Sequence, residues 1–195
     1  MPTTVTIIRH GQTEWNKENR IQGHKDSPLS AQGALEAQRT SQTIQAMQFD
    51  AIYSSDLGRA KQTARLVLSP MQYKQAQFNV YLRERCLGIY DGARRNRVED
   101  NLQLSFHLFK DIDFVPKLGE SITQLRTRIS LCIQYVHTHH KNQHILVITH
   151  GMFLKQLHHI IKGVERNTSN TSMTTLVFSE GPSCDIISWG NTDHL

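Results

Sequence analysis

Thr4-Val5-Thr6-Ile7-Ile8, running straight into Arg9-His10-Gly11, is the stretch on which the fold reading turns. It is a short, β-rich apolar run that ends on polar residues, as a buried strand ending at a site would. Runs of the same kind return at Ala51 to Ser54, Gln77 to Leu82, His144 to Thr149, Met173 to Ser179 and Asp185 to Trp189. Longer segments of helical period lie between them. Ser30 reads as the N-cap of a helix reaching about Met47, and Asp56 as the cap of another that carries Ala60, Thr63, Ala64, Val67 and Leu68. Ser121 opens a third, with Ile122, Leu125, Ile129, Ile133 and Val136 at three- and four-residue steps, and Gly151 to Ile161 supplies a fourth. This alternation predicts an α/β fold: a three-layer sandwich whose mostly parallel sheet carries helices on both faces, with right-handed crossovers. Gly88 to Lys117 shows no regular period and is expected to be irregular.

A chain of 195 residues suits one domain, residues 1–195, with a core large enough to need no covalent or metal staple. Cys86, Cys132 and Cys184 are odd in number, far apart and without a CxxC pair, so a disulfide framework and a zinc ribbon are not indicated, and a reducing cytoplasm is the expected compartment. The first residues lack a basic region followed by a long apolar run, and no apolar stretch reaches bilayer length, so neither export nor a membrane partner is expected. The net charge of +5 is spread along the chain; its densest group, Arg94-Arg95-Asn96-Arg97, lacks interleaved aromatics, which argues against a nucleic-acid partner. A second copy of the chain, as in a homodimer, is an admissible partner that the sequence does not decide.

Ligands of open parallel sheets bind beyond the carboxyl ends of the strands, so the residues after each strand deserve inspection. Those ends deliver Arg9-His10-Gly11, then Asp56 and Arg59, then Arg83-Glu84, then His150-Gly151. Two imidazoles, several guanidiniums and one carboxylate suit phosphoryl transfer, where the moving group keeps its negative charge and needs fixed cations and N–H donors. The planar fork of Arg9 or Arg59 can hold two phosphate oxygens at once. A neutral imidazole can attack phosphorus, and a carboxyl partly shielded from water, with its pKa pushed up, can protonate the departing alcohol; Glu84 is placed for that. The glycine after each histidine would allow close approach or unusual dihedrals, and the start of a helix at Gly151 would favour phosphate oxygens beside His150.

Structural readings compete with each of these. Arg59 would ordinarily pair with Asp56 one turn earlier, and Glu84 between Arg83 and Arg85 could belong to a solvated charge cluster. His10, His24, His150 and Glu84 could surround a zinc ion, but no HxxxH or HExxH spacing is present and Arg9 would repel a cation, so no metal and no other cofactor is expected. His137, His139 and His140, with His144 near, read as a histidine-rich surface helix end. Residue type alone does not rank His10 above His150 as the nucleophile.

Arg9-His10-Gly11-Gln12-Thr13-Glu14-Trp15-Asn16 resembles the signature of the histidine phosphatase superfamily, the phosphoglycerate mutase-like enzymes. The likeness continues in family order through Arg20-Ile21-Gln22-Gly23-His24, Pro28-Leu29-Ser30, Tyr53-Ser54-Ser55-Asp56-Leu57 with Arg59-Ala60, Leu82-Arg83-Glu84, Gly119-Glu120-Ser121 and Thr149-His150-Gly151. The resemblance implies that His10 is the phosphorylated nucleophile, that Arg9, Arg59 and His150 form the phosphate pocket, and that Glu84 donates the proton. It further implies phosphate contacts from Asn16 and Gln22 and from the backbone of Gly151. Asp91, in Tyr90-Asp91-Gly92, departs from the acidic turn of many relatives. The pocket-capping segment around 88–118 is shorter than in glycolytic mutases, which implies water as acceptor and a phosphatase acting on a small phosphorylated metabolite. The alternatives are a mutase and a catalytically silent phosphate-binding protein. Arg94, Arg95 and Arg97 would then either read a second anionic group or form a solvated loop.

Overall fold

The computed structural model describes residues 2–179 and 183–195. In chain order it contains β1 (Thr3–Arg9), α1 (Glu14–Lys17), α2 (Ala31–Gln45), β2 (Ala51–Ser55), α3 (Gly58–Val67), α4 (Pro70–Gln75) and β3 (Gln77–Asn79). There follow α5 (Arg95–Glu99), α6 (Leu102–Phe109), α7 (Ile122–His139), β4 (His144–Thr149), α8 (Gly151–Lys162), β5 (Met173–Phe178) and β6 (Cys184–Asn191). The strands form one sheet in the order β3-β2-β4-β1-β5-β6. The pairs β1 with β4, β2 with β4 and β2 with β3 are parallel, while β5 and β6 join antiparallel.

Strand side chains alternate between two buried faces, which explains the near-continuous apolar runs. Val5 and Ile7 of β1, Tyr53 of β2 and Ile145 and Val147 of β4 pack with Leu125 and Ile129 of α7 and Phe153, Leu154 and Leu157 of α8. The alternate residues Ile8, Ile52, Leu146 and Ile148 pack on the opposite face against Ala37 and Ile44 of α2 and Ala60, Ala64 and Val67 of α3. Full burial of an isoleucine such as Ile8 or Ile148 stabilises by about 1.5–3 kcal/mol. The expected sandwich, mostly parallel with helices on both faces, is therefore what the chain adopts.

Local signals met with mixed success. Ser30 caps α2 by accepting from Gly33 N at 3.0 Å, and Ser121 closes a capping box with Gln124 at the start of α7. Asp56 does not cap α3. Leu57 holds the cap position without a side-chain bond, and the carboxylate that accepts from Gly58 N and Arg59 N comes from Asp26, across the fold. The run Gln77 to Leu82 is a strand only to Asn79; Val80–Leu82 turns into a 3₁₀ helix capped by the Asn79 side chain. The stretch expected to be irregular contains α5 and α6, which gather Val98 and Leu108 with Ile21 and Leu87 into a third small apolar cluster. A cavity of about 420 Å³ lies between the sheet and α7, lined by residues such as Ile7, Val147, Ile133 and Phe153. Its mostly apolar wall suits an anion poorly, and it shares no residue with the strand-end cluster.

Candidate active site

Parallel pairing sets Arg9 of β1 beside Thr149 of β4, so the next residue of each strand, His10 and His150, emerges at the same level. Their rings face one another with centroids 5.1 Å apart and planes at 54°. Both are buried, His10 at 2 % exposure and His150 at 0 %. His10 Nδ1 lies 2.8 Å from the carbonyl oxygen of Gly11, which can only accept, so the ring proton sits on Nδ1 and Nε2 carries the lone pair. His150 Nε2 meets the Ser55 hydroxyl at 2.7 Å, while its Nδ1 is buried without a protein partner.

Burial, followed by the charges of Arg59 and Arg9, holds His10 well below its ordinary value of 6.5. His150 is lowered well below 6.5 too, by burial first and then by Arg59, His10 and Arg9. Both rings are neutral at neutral pH. A folded pKa below the unfolded one means that the unfolded chain binds more protons in the acid range. The stability this contributes is present above about pH 6.5 and is lost as pH falls below it, by about 1.4 kcal/mol per pH unit for each histidine. In urea titrations in phosphate-free buffer, the stability of His10→Asn should depend on pH less steeply than wild type by about that amount below pH ~6. Equal slopes would contradict a buried neutral ring at position 10.

Two guanidiniums flank the imidazoles. Arg9 spends Nη1 on the carbonyl of Thr168 at 2.5 Å, and its Nε is buried without a protein partner. Arg59, fully buried, gives Nη1 to Lys25 O at 2.9 Å and Asp26 Oδ1 at 3.1 Å, and Nη2 to Gly23 O at 2.8 Å; its Nε is likewise unpartnered. Each fork is thus anchored at its far end while the Nε edge remains unspent, the edge that can engage an anion bidentately. Burial lowers the pKa of both arginines, an effect countered first by the nearby charge of Glu84.

Glu84 reaches the first turn of α8. Its carboxylate accepts from Met152 N at 3.1 Å and Phe153 N at 3.2 Å, and from Arg85 N at 2.9 Å. At the helix start expected to favour phosphate oxygens, the N–H groups of Met152 and Phe153 are therefore spent on Glu84. Gly151 makes a different close contact than expected: a Cβ there would lie 3.1 Å from the Arg9 guanidinium carbon, which would have to give by a few tenths of an ångström. A Cβ on Gly11 would lie 2.9 Å from Gly33 O, a packing constraint, and neither glycine is among those with positive φ.

Asn16 and Gln22 lie on the segment between β1 and α2. Asn16 Oδ1 accepts from Thr13 N at 3.1 Å in the capping box of α1, and Gln22 is buried with an unpartnered Oε1. The same segment carries Gly23 and Lys25, whose carbonyls hold Arg59. Asp91 locks it, accepting from His24 N and Leu87 N, both at 2.9 Å. A Cβ on Gly23 would sit 1.8 Å from Asp91 Oδ1, so the shorter acid and the glycine fit as a pair. The alternatives for other residues separate cleanly. Arg59 pairs with Asp26, and Asp56 forms a two-point pair with Arg83. His24 Nε2 is spent on Glu84 O at 2.9 Å, and His140 on Tyr53 and Gln143. Arg95 pairs with Glu99 and lies over Phe109.

The loop before β5 was missed entirely. Asn170 Nδ2 donates to His10 O at 2.8 Å, Thr171 N to Arg9 O at 3.0 Å, and Thr168 O receives Arg9, so this loop fastens the Arg9–His10 turn from outside. Its sequence signal, Asn167 to Asn170 rich in Asn, Thr and Ser, marks only a loop.

The model of the histidine phosphatase superfamily (branch 1) matches residues 5–192. Phosphoglycerate mutase-like protein 4 of Arabidopsis thaliana is 32% identical over 200 residues, covering 98% of this chain and 86% of that protein. The metal-independent phosphoserine phosphatase of Arabidopsis thaliana is 27% identical over 199 residues, covering 99% and 83%. Among solved structures, a mutant phosphoserine phosphatase from Entamoeba histolytica in complex with phosphoserine superposes with a TM-score of 0.86 at 26% identity, covering 99% of both chains. With two imidazoles, two anchored guanidiniums and a carboxylate at the strand ends of this sandwich, and with the family match running nearly end to end, the chain belongs to the histidine phosphatase superfamily, branch 1.

Proposed function

We propose that this chain is a metal-independent phosphatase that hydrolyses a small phosphomonoester through a phosphohistidine on His10. The observation that carries this reading is a buried neutral imidazole at His10, its lone pair held on Nε2, facing a second buried imidazole between two guanidiniums. In the first half-reaction, His10 Nε2 attacks phosphorus, the P–O ester bond breaks, and the departing oxygen takes a proton from Glu84 to leave as the alcohol. In the second, water attacks the phosphohistidine, the P–N bond breaks, and the water's proton goes to Glu84, which restores the enzyme and releases inorganic phosphate.

Arg9 and Arg59 act through their Nε edges on the phosphoryl oxygens. If the Ser55 hydroxyl donates to His150 Nε2, the ring proton lies on Nδ1 and becomes a further N–H for those oxygens. Asn16, Gln22 and the backbone of Gly151 complete the cradle. None of these steps asks for a cation: Glu84 is already held by backbone N–H groups and His24 by Glu84 O. The substrate class is a small phosphorylated acid, supported by the phosphoserine and 3-phosphoglyceric acid bound in the Entamoeba histolytica enzyme. The three free cysteines fit a reducing, cytoplasmic setting.

A mutase returning the phosphoryl group to substrate is the second reading, supported by a 2,3-bisphosphoglycerate-dependent mutase of Parvibaculum lavamentivorans, 31% identical over 80% of this chain. A panel of phosphorylated metabolites read for free phosphate separates the two. Stoichiometric phosphate release that survives chelators is expected, whereas a product isomer without free phosphate would favour the mutase. Phosphate binding with no turnover on any ester would favour a silent regulatory protein.

A further inference from the structure

Residues 83–87, which carry Glu84, belong to no helix or strand, so their backbone groups need partners from elsewhere. Arg128, on α7, supplies several of the carbonyl partners. Its Nη1 donates to Tyr81 O at 2.7 Å and to Arg83 O at 2.8 Å, and its Nη2 to Glu84 O at 3.3 Å. The same guanidinium forks onto Glu120, with Nη2 2.6 Å from Oε1 and Nε 3.4 Å from Oε2, and both side chains are largely buried. Glu120 in turn accepts from Cys86 N at 3.1 Å, and its own N–H donates to Cys86 O at 2.9 Å. Its carbonyl takes Arg85 Nε at 3.0 Å. A Cβ on Gly119 would sit 2.7 Å from Cys86 O, so the glycine before Glu120 is what lets the two backbones meet.

We infer that Arg128, braced by Glu120, is a positioning residue: it clamps the Tyr81–Glu84 backbone, while Glu120 holds Cys86, so that the Glu84 carboxyl is presented to the departing oxygen. The inference rests on the proposed role of Glu84 as proton donor. Proton transfer requires heavy atoms within about 2.6–3.2 Å, and a misplacement of 1 Å can cost on the order of a hundredfold in rate. An arginine is suited because one planar group reaches three carbonyls and a carboxylate together, which a single ammonium does not.

The test compares kcat/KM, which reports formation of the phosphoenzyme, on phosphoserine and on p-nitrophenyl phosphate. The alkyl oxygen of the first needs a proton to leave; the nitrophenolate of the second does not. Glu84→Gln should lose kcat/KM on phosphoserine and keep much of its kcat/KM on the aryl ester, while kcat falls on both because the same carboxylate takes the water's proton in dephosphorylation. Arg128→Gln should show the same leaving-group pattern, about a hundredfold down on phosphoserine, with Arg128→Lys between it and wild type. The double variant should be no worse than Glu84→Gln alone. Equal losses on both esters in Arg128→Gln, or multiplicative losses in the double variant, overturn the positioning role while leaving that of Glu84 intact. If Glu84→Gln itself shows no leaving-group pattern, the proton-donor reading fails first and the inference falls with it. Should Arg128→Gln fail to fold, Arg128→Lys and Glu120→Gln carry the same comparison.

Discussion

His10→Ala should lose turnover by on the order of 10⁴-fold or more, the scale set by removing a covalent nucleophile that acts as one unit with its neighbours. The same variant should yield no acid-labile phosphoprotein when quenched during turnover. His150→Ala makes the informative comparison. His10 has its Nδ1 proton fixed on a carbonyl and its Nε2 lone pair thereby defined, whereas His150 Nε2 is already committed to Ser55. His150→Ala should therefore turn over slowly yet still carry the label. A labelled His10→Ala beside an unlabelled His150→Ala would exchange the two roles, and undiminished turnover in His10→Ala would end the mechanism. Thermal melts guard against trivial unfolding, since position 10 is almost wholly buried.

Arg59→Lys is expected to lower kcat/KM by about 10²- to 10⁴-fold, from the loss of two charge-assisted bonds worth about 1.5–3 kcal/mol each. The substitution keeps the charge and removes the geometry. Arg59 serves the carbonyls of Gly23 and Lys25 and the Asp26 carboxylate while leaving its Nε edge unspent, and one ammonium on a flexible stem does not do both. Inorganic phosphate should bind correspondingly more weakly as a competitive inhibitor, and the melting temperature should fall because a carbonyl such as Gly23 O is left unpartnered. An unchanged phosphate inhibition constant would remove Arg59 from the anion site.

What the sequence made legible follows a physical divide. The central strands announced themselves because both faces are buried, so Ile7 and Ile8 are equally apolar, and the rule that ligands meet strand ends pointed to Arg9, His10, Glu84 and His150. Asp56 misled because an acid before a helix is a sound local signal, yet the capping was done from a distance by Asp26 while Arg83 claimed Asp56. Asp91, Thr168, Asn170 and Arg128 were beyond reach for the same reason: each acts on a segment far along the chain, and no local pattern encodes such a partner. The helices within 88–118 bury little apart from Val98 and Leu108, which leaves too weak a stripe to recognise.

The side-by-side placement of β1 and β4 makes the sheet a ruler. The centroid spacing of the two imidazoles, 5.1 Å, is close to the pitch between neighbouring strands of about 4.8 Å. Inserting or deleting one residue within either strand would carry its histidine some 3.3 Å along the axis and turn it to the other side of the sheet. A change of length in a connection such as 110–118 leaves the pairing of the two strands, and with it the spacing between the two rings, untouched.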